Sequence, residues 1–389
     1  MVATPPKAAL KADLGKRGIT QPRGSQAAQR WALLSQARKI TTRKSLRTCG
    51  LFSAEGEVKV SLNERGHASV SGVHTCGSKL CPVCSARTSA KQLAALERAA
   101  DKLLQGESCA VFVTLTLPHR MGDDLGTLID ALQAAWNASM SGRGGKVWRE
   151  FGKTHYLRAL DYTFGNNGHH PHYHAVVFFD RVLTSDDLYW LDMDLRQRWE
   201  RSIRKTLGRD CVHAAVKLDL VREGAQGGVG AVVRYVGKAL TGVLLESLWS
   251  QGKAGSVGGR TIWEILRDSE TKGWCESLWR DLENGFHKRR WLVCSQGLLA
   301  LGEDEEEQPD LEEEFETQEE ENSVLLSGAL WRTINRQGRV SAFLADFENK
   351  GLQPDVWKRW RFLCSLSLER KGAPVGFWAQ MLSQALSSI

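Results

Sequence analysis

The stretch that decides the fold is Asn166-Asn167-Gly168-His169-His170-Pro171-His172-Tyr173-His174-Ala175-Val176-Val177-Phe178-Phe179. Its hydrophobic second half, rich in β-branched and aromatic residues, reads as a strand. Side chains alternate across a strand with period 2, so His172 and His174 share one face while Tyr173 and Ala175 take the other. Two imidazoles placed side by side in this way can chelate a metal. The preceding segment, His155 to Phe164, is also strand-like, and Asn167-Gly168 is the commonest signal for a two-residue type I′ hairpin. With Asn166 and His169 flanking the turn, Asp161 faces His174 on the same side, at a β-carbon separation of about 4.5–5.5 Å. A carboxylate and two histidines then converge. The competing reading is a surface hairpin with exposed histidines.

The chain has 389 residues, enough for two or three domains. It shows no apolar run of about 18 residues or more, and its N-terminal stretch lacks the apolar core of a signal peptide. Neither membrane insertion nor secretion is supported, and a cytoplasmic protein is expected. Nine cysteines, an odd number, argue for thiolate ligands or buried thiols over a disulfide framework. The formal net charge of +7 conceals an asymmetry, because Glu303 to Glu321 holds 13 of the 45 acidic residues and no Lys or Arg. Elsewhere 52 basic residues face the remaining 32 acidic ones. Such a balance suits a polyanionic partner, nucleic acid above all.

Taken in order, residues 1–45 read as a basic flexible arm, without sustained apolar periodicity. Residues 46–105 read as a zinc-ribbon module and helix. Cys49, Cys76, Cys81 and Cys84 supply four thiolates for a tetrahedral Zn²⁺ site, with Cys81-x-x-Cys84 as the knuckle and His74 as an alternative to Cys49. The helix follows over Arg87 to Gln105, with Leu93, Leu96, Ala99, Leu103 and Leu104 at helical spacing. Residues 106–300 make the next domain. Ala110 to Pro118 is a β-branched run expected as a central strand, in which Thr114 and Thr116 share a face that either lines a site or, the preferred reading, packs in the core. Helices are expected over Leu128 to Met140 and Thr184 to Leu207, the latter with Trp190, Leu191, Leu195 and Trp199, and a strand over Val212 to Val221.

A further helix, Val229 to Leu245, buries Val232, Val233, Val236, Leu240 and Val243, which leaves Tyr235 and Lys238 together on another face. A nucleophile can sit there. Of the chain's five tyrosines, Tyr156, Tyr162, Tyr173 and Tyr189 fall within the hairpin strands or an apolar helix face. Thr261 to Leu266 reads as a helix start, and Gly285 to Leu298 as a basic strand whose Lys288, Arg289 and Arg290 can touch phosphates. Residues 301–322 are an acidic linker, of a kind usually disordered. Residues 323–389 read as a helical C-terminal module, with Val356, Trp360 and Leu363 at i, i+4, i+7.

With these pieces in order, the chain resembles the rolling-circle replication initiators (Rep) of small bacterial plasmids, within the HUH endonuclease superfamily. The resemblance rests on the cysteine run Cys76 to Cys84, on Phe112-Val113-Thr114-Leu115-Thr116, and on His170-Pro171-His172-Tyr173-His174 preceded by the acid-Tyr-Thr strand of Asp161-Tyr162-Thr163. Arg234-Tyr235-Val236-Gly237-Lys238 and the Gly285 to Leu298 segment complete it, over roughly residues 70–300. It implies an α+β fold, a central antiparallel sheet flanked by helices (HUH/ferredoxin-like) with the two-histidine strand at its centre. It also implies Tyr235 as nucleophile, a divalent metal on His172 and His174, and nicking of one strand at the plasmid origin. Asp161 stands where the family usually has Glu. Relatives that end replication by hydrolysis carry Glu four residues before the tyrosine, where this chain has Ala231; Glu223 is a substitute base.

On this reading Mg²⁺ or Mn²⁺ is held by His172, His174 and Asp161, and Zn²⁺ is structural. Lys238 stabilises the phenolate or the developing phosphorane-like charge, with Arg234 and the three basic residues on DNA. The expected partner is origin DNA, single-stranded or extruded as a hairpin, with host helicase and polymerase beyond it. Two other readings compete: a non-catalytic zinc-ribbon DNA-binding regulator, and an HUH relaxase or transposase with the same chemistry.

Overall fold

A computed structural model describes residues 26–63, 66–221, 259–303, 323–350 and 360. Along the chain, helices α1 (Gln26–Ile40) and α2 (Lys44–Thr48) precede strands β1 (Glu57–Leu62) and β2 (Ala68–Ser71). Helix α3 (Pro82–Leu103) leads to strand β3 (Cys109–Leu115), helices α4 (Leu125–Met140) and α5 (Gly142–Glu150), and the strands β4 (Lys153–Gly165) and β5 (Gly168–Phe179). Helix α6 (Ser185–Leu207) and strand β6 (Val216–Val221) follow, then helices α7 (Ile262–Asp268) and α8 (Gly273–Gly285) and strand β7 (Leu292–Cys294). Last come strand β8 (Ser323–Ser327) and helices α9 (Gly328–Arg336) and α10 (Val340–Lys350). The class is α+β, with antiparallel sheets flanked by helices.

The chain divides into two compact units, one containing Ser85–Glu307, the other joining Ile19–Cys84 to Gln308–Ile389. In the first, the described strands form an antiparallel sheet in the order β6-β3-β5-β4-β7, with the histidine strand β5 in the middle. Strand alternation sorts its side chains into two faces. One carries Ala110, Phe112, Leu157, Val176 and Phe178, and packs on Leu96, Ala99 and Ala100 of α3 and on Leu104 just beyond it. The other meets α4, α5 and α6: Trp136 lies 5.4 Å from Tyr156 and 6.1 Å from Tyr173, and Trp148 lies 6.1 Å from Phe179. The Trp199 indole N–H donates to the Thr116 carbonyl at 2.8 Å. Each large apolar side chain fully buried this way contributes about 1.5–3 kcal/mol, so β3 and β5, buried on both faces, anchor the unit.

The hairpin register differs from the expected one. Gly165 pairs with Gly168, and Asp161 stands opposite His172, with Ala159 opposite His174. The cause is the turn. A type I′ turn needs positive φ at both central residues, yet Asn166 and Asn167 both lie outside that region, while Gly168 takes φ 85°. This is the pattern of a type I turn closed by a left-handed glycine. The shift amounts to two residues, so Asp161 stays on the histidine face.

Helix α6 starts at a capping box in which Thr184 Oγ1 accepts from the Asp187 backbone and the Asp187 carboxylate accepts from the Thr184 backbone; it ends at Gly208, φ 65°. Its buried row is Leu191, Leu195, Trp199 and Ile203, at steps of four. Trp190, expected in that row, is 63% exposed, and Tyr189 is 58% exposed. One residue of offset turns a side chain by about 100° round a helix, off the apolar face.

The second unit is built from both ends of the chain. Its sheet order is β2-β1-β8, with Val58 opposite Leu326 and Val60 opposite Val324. The described part of the expected basic arm, from Gln26, is the helix α1, burying Ala28, Trp31, Leu34, Ala37 and Ile40. Those residues recur at steps of three, the helical period that the intervening Gln, Arg and Lys obscure. Likewise the segment expected to be wholly helical opens with β8, which completes the β1 sheet across a long stretch of sequence. Trp31 meets Trp331 of α9 edge-on at 5.3 Å, and Trp331 and Asn335 both donate to the Gly50 carbonyl, at 2.8 and 2.7 Å. Trp360 is buried and donates to Asp346 at 3.2 Å. Val356, Leu363 and the acidic stretch 304–322 lie outside the described residues.

Candidate functional site

Asp161, His172 and His174 come together at the end of the sheet face that α3 leaves open among the described residues. Nε2 of His172 is 3.3 Å and Nε2 of His174 is 3.8 Å from the same Asp161 oxygen, with the three side chains 12–23% exposed. The far ring nitrogen of His172 fixes its tautomer. His172 Nδ1 lies 3.3 Å from the His170 carbonyl, which only accepts, so Nδ1 carries the proton and Nε2 offers its lone pair. His174 Nδ1 lies 3.3 Å from Thr114 Oγ1, and the ring stacks on Phe112 at 5.4 Å. That hydroxyl can accept from this nitrogen or donate to it; where it accepts, Nε2 is likewise free.

Two lone pairs and a carboxylate aimed at one point require a proton or a cation between them. Burial by itself would lower His172, but the Asp161 charge outweighs it and holds this imidazole above its ordinary value. Asp161 is held below the usual carboxylate range: burial opposes its charge, and His172 followed by His174 overcomes that. His174 is pushed down to about 4 by burial and then by the charge of His172, so it stays a neutral ligand. The spacing suits a metal, since neighbouring ligands of an octahedral ion with bonds of about 2.0–2.1 Å are themselves about 3 Å apart.

Cys49, Cys76, Cys81 and Cys84 form a second cluster. Their sulfurs lie 3.4 Å (Cys49 to Cys84), 3.6 Å (Cys49 to Cys81) and 3.6 Å (Cys76 to Cys84) apart. Those separations are far too long for disulfides and near the tetrahedral edge of about 3.8 Å set by Zn–S bonds of about 2.3 Å. Backbone N–H groups of Cys76, Ser78 and Cys84 point at Cys49, Cys76 and Cys81 sulfurs. His74 is exposed and outside the cluster.

A family model described as a replication protein matches residues 67–335. The chain belongs to this replication protein family. These proteins are rolling-circle plasmid replication initiators, so origin DNA is the partner of this initiator. No curated protein and no solved structure matches it. No helix among the described residues is long and apolar enough to cross a membrane.

The remaining expected residues of the initiator divide into two groups. Tyr235, Lys238 and Arg234, with Ala231 and Glu223, lie outside the described residues. Of the basic residues near β7, Lys288 and Arg290 are exposed, Lys288 in the left-handed region at φ 57°. Arg289 is engaged by the fold, donating to Asp130 at 2.7 Å, to the Gly285 carbonyl at 2.8 Å and to the Gly126 carbonyl at 3.1 Å. Tyr162 and Tyr173 are buried core.

Of the two threonines, for which the sequence favoured packing over lining a site, Thr114 lies 3.3 Å from His174 Nδ1 and so lines the site, while Thr116 packs, 3.4 Å from the Ala215 carbonyl. His170 also escaped the sequence reading of the centre, although its parity on β5 matches that of His172. It stacks on His172 at 4.9 Å and lies tilted against His119 at 4.7 Å, and burial, then the charges of His172 and His119, pushes it down to about 4. No local signal in the sequence points to His119. His169, on the opposite face, belongs to the core and meets the Tyr162 hydroxyl at 2.8 Å.

Proposed function

We propose that this plasmid replication initiator is a metal-dependent, sequence-specific single-strand DNA endonuclease and ligase of the HUH type, working through a 5′-phosphotyrosine intermediate at the origin. The supporting observation is the convergence of two imidazole lone pairs and a carboxylate at the open end of the central sheet in a replication-initiator chain. On this reading His172, His174 and Asp161 hold Mg²⁺ or Mn²⁺, a carboxylate with retained waters suiting either ion and two imidazoles leaning toward Mn²⁺. When bound, that ion supplies Lewis-acid polarisation of the scissile phosphate. Thr114 and the His170 carbonyl keep the ligating rings in the required tautomer.

Tyr235 is the nucleophile. Its hydroxyl oxygen bonds to phosphorus, its proton is lost to solvent, the bond from phosphorus to the 3′ oxygen breaks, and that oxygen leaves as a protonated 3′-hydroxyl a polymerase can extend. A free phenol titrates near about 10, so a nearby cation is needed, and Lys238 fills that role, with Arg234 second. Arg234, Lys288 and Arg290 contact the DNA backbone, and Arg289 does so only if released from Asp130. The phosphodiester energy is retained in the covalent link, so the strand can be rejoined. With Ala231 at the position of the hydrolytic base, Glu223 is the candidate for ending replication. Four thiolates hold a structural Zn²⁺ in a ribbon-like module.

The test is incubation with supercoiled origin plasmid and Mn²⁺. A nicked, protein-linked product is expected from the native chain and none from Tyr235→Phe; a link that persists in that variant overturns the nucleophile. His172→Ala is expected to abolish nicking while duplex binding stays largely intact.

A further inference from the structure

Helix α6 (Ser185–Leu207) carries an apolar patch on the side away from its buried row. Tyr189, Trp190 and Met193 are 58%, 63% and 48% exposed, and the rings of Tyr189 and Trp190 meet edge-on at 5.6 Å. A single exposed apolar side chain is ordinary, whereas three adjoining ones point to an interaction surface.

The patch belongs to a longer pattern. Asp186, Trp190, Met193, Gln197, Glu200 and Arg204 recur at steps of four and three, on the side opposite Leu191, Leu195, Trp199 and Ile203. Of these six, Glu200 is part-buried and the others are exposed. Alternating steps of four and three are the spacing with which one helix lies along another. The set is also symmetric along the helix, since its steps read the same in both directions from the level of Leu195. Laid antiparallel on a copy of itself at that level, α6 sets Asp186 on Arg204, Tyr189 on Arg201, Trp190 on Glu200 and Met193 on Gln197. A two-fold axis makes each pairing occur twice.

Charge selects the same direction. Residues 185–195 hold four acidic side chains and no basic one, and residues 196–207 hold five basic and one acidic. Antiparallel copies lay each acidic half along the other's basic half, whereas parallel copies set like on like. The helix dipole rewards charges in the first and last turns only, which leaves Asp192 and Asp194 beyond its reach. The ion pairs within the helix, Asp192 with Arg196, Asp194 with Arg198 and Glu200 with Arg204, do not include the exposed Asp186 and Arg201.

Single-stranded nucleic acid is the other ligand that seeks exposed aromatic rings. The acidic half of α6, in which Tyr189 and Trp190 stand, repels phosphates. The helix also packs on α4, whose Trp136 meets Tyr173 on the sheet face away from His172 and His174.

We propose that two copies of the initiator pair through α6, antiparallel about a two-fold axis level with Leu195. The pairing leaves the histidine centre open and does not depend on the nicking chemistry.

The test is equilibrium sedimentation of the full chain from about 1 to 100 µM, the range suited to a small interface. The mass is expected to rise from that of one chain toward that of two. Trp190→Lys, at an exposed position, is expected to weaken pairing by about tenfold or more, as loss of an aromatic anchor does, with the melting temperature unchanged. Met193→Lys answers the same question if Trp190→Lys does not fold. Charge reads the direction. Asp186→Arg and Arg204→Asp each set like charges together twice and are each expected to weaken pairing, while an equimolar mixture of the two is expected to pair about as tightly as the native chain. A chain that stays monomeric, a dimer that survives both lysine substitutions, or charge variants that do not restore each other overturns the proposal. A monomer whose binding of single-stranded DNA falls in Trp190→Lys also overturns it, and assigns the two aromatic rings to bases.

Discussion

At the scale of single residues, the Asp161, His172 and His174 centre, on the proposed reading, depends on atoms that would not touch its metal. Thr114 Oγ1 lies 3.3 Å from His174 Nδ1 and is the hydrogen-bond partner of that ring nitrogen among the described residues. Outer partners of this kind are worth about 10–100-fold in metal affinity when removed. Thr114→Val keeps the shape and deletes the acceptor, so Mn²⁺ affinity measured by calorimetry is expected to fall within that range with the melting temperature of the metal-free chain little changed. An affinity equal to that of the native chain would show that Thr114 only packs. Gly168 is the residue on which the hairpin turns. At φ 85° an added Cβ is strained, and it would lie 3.1 Å from the Arg120 carbonyl oxygen and the Met121 Cα, both backbone atoms. Gly168→Ala is expected to cost about 1–2 kcal/mol from the left-handed conformation alone, read as a lowered urea midpoint, whereas Asn167→Ala, whose φ is not positive, is expected to cost less.

At the scale of elements, helix α6 supplies a pH-dependent contribution whose sign is fixed by Asp187. The Arg181 guanidinium, first, and the Thr184 backbone, second, hold this carboxyl down at about 2. An unfolded Asp titrates near about 3.9. A depressed folded value contributes stability that is full above the unfolded pKa and is lost as pH falls toward 2. Asp187→Ala is therefore expected to destabilise by about 1 kcal/mol near neutrality, the usual value of a cap, with solvent at the 43% exposed Arg181 side chain screening the ion pair. The difference from the native chain should shrink as unfolding is measured at pH 4, then 3, then 2; a constant difference would place the effect in packing. This helix also shows what was legible. Thr184 and Asp187 announce its start, and Leu191, Leu195 and Trp199 its buried row, but neighbours of the row, Trp190 and Tyr189, could be sorted only by the turn angle. The hairpin register was misread by two residues, yet the centre survived. An error of two preserves the face of every side chain, whereas an error of one would have separated Asp161 from His172 and His174.

At the scale of the molecule, the unit holding the thiol cluster was the least legible part, because its pairings cross nearly the whole chain. Strand β1 lies between β2, a few residues on, and β8, and nothing local in Glu57–Leu62 specifies a partner as distant as Ser323–Ser327. On the proposed reading of the four thiols as a zinc site, the same distance makes this unit dependent on that staple. Its described sheet is three strands, and the turn after Cys49 is held by Trp331 and Asn335 on the Gly50 carbonyl, and by Arg38, which donates to both the Cys49 carbonyl and Asn335. Cys49 thus belongs at once to the thiol cluster and to the contact between segments from the two ends of the chain. Structural zinc binding of this type is worth about 10–16 kcal/mol in small zinc modules, of the order of a domain's total stability, so stripping the ion should release α1, α9 and the β1–β8 pairing together. The five-stranded sheet, whose core rests on α3 through Leu96, Ala99 and Ala100, carries its own apolar burial. Hydrogen exchange on the intact chain separates the two. After chelation confirmed by zinc release, amides of Gln26–Ile40, Glu57–Leu62 and Gly328–Arg336 are expected to lose protection while those of Cys109–Leu115 and Ala175–Phe179 keep it, and Cys76→Ser should reproduce the pattern without chelator. Unchanged exchange at Gln26–Ile40 and Gly328–Arg336 in the stripped chain would mean that apolar packing of Trp31 on Trp331 holds the unit, and that the four thiols are not its staple.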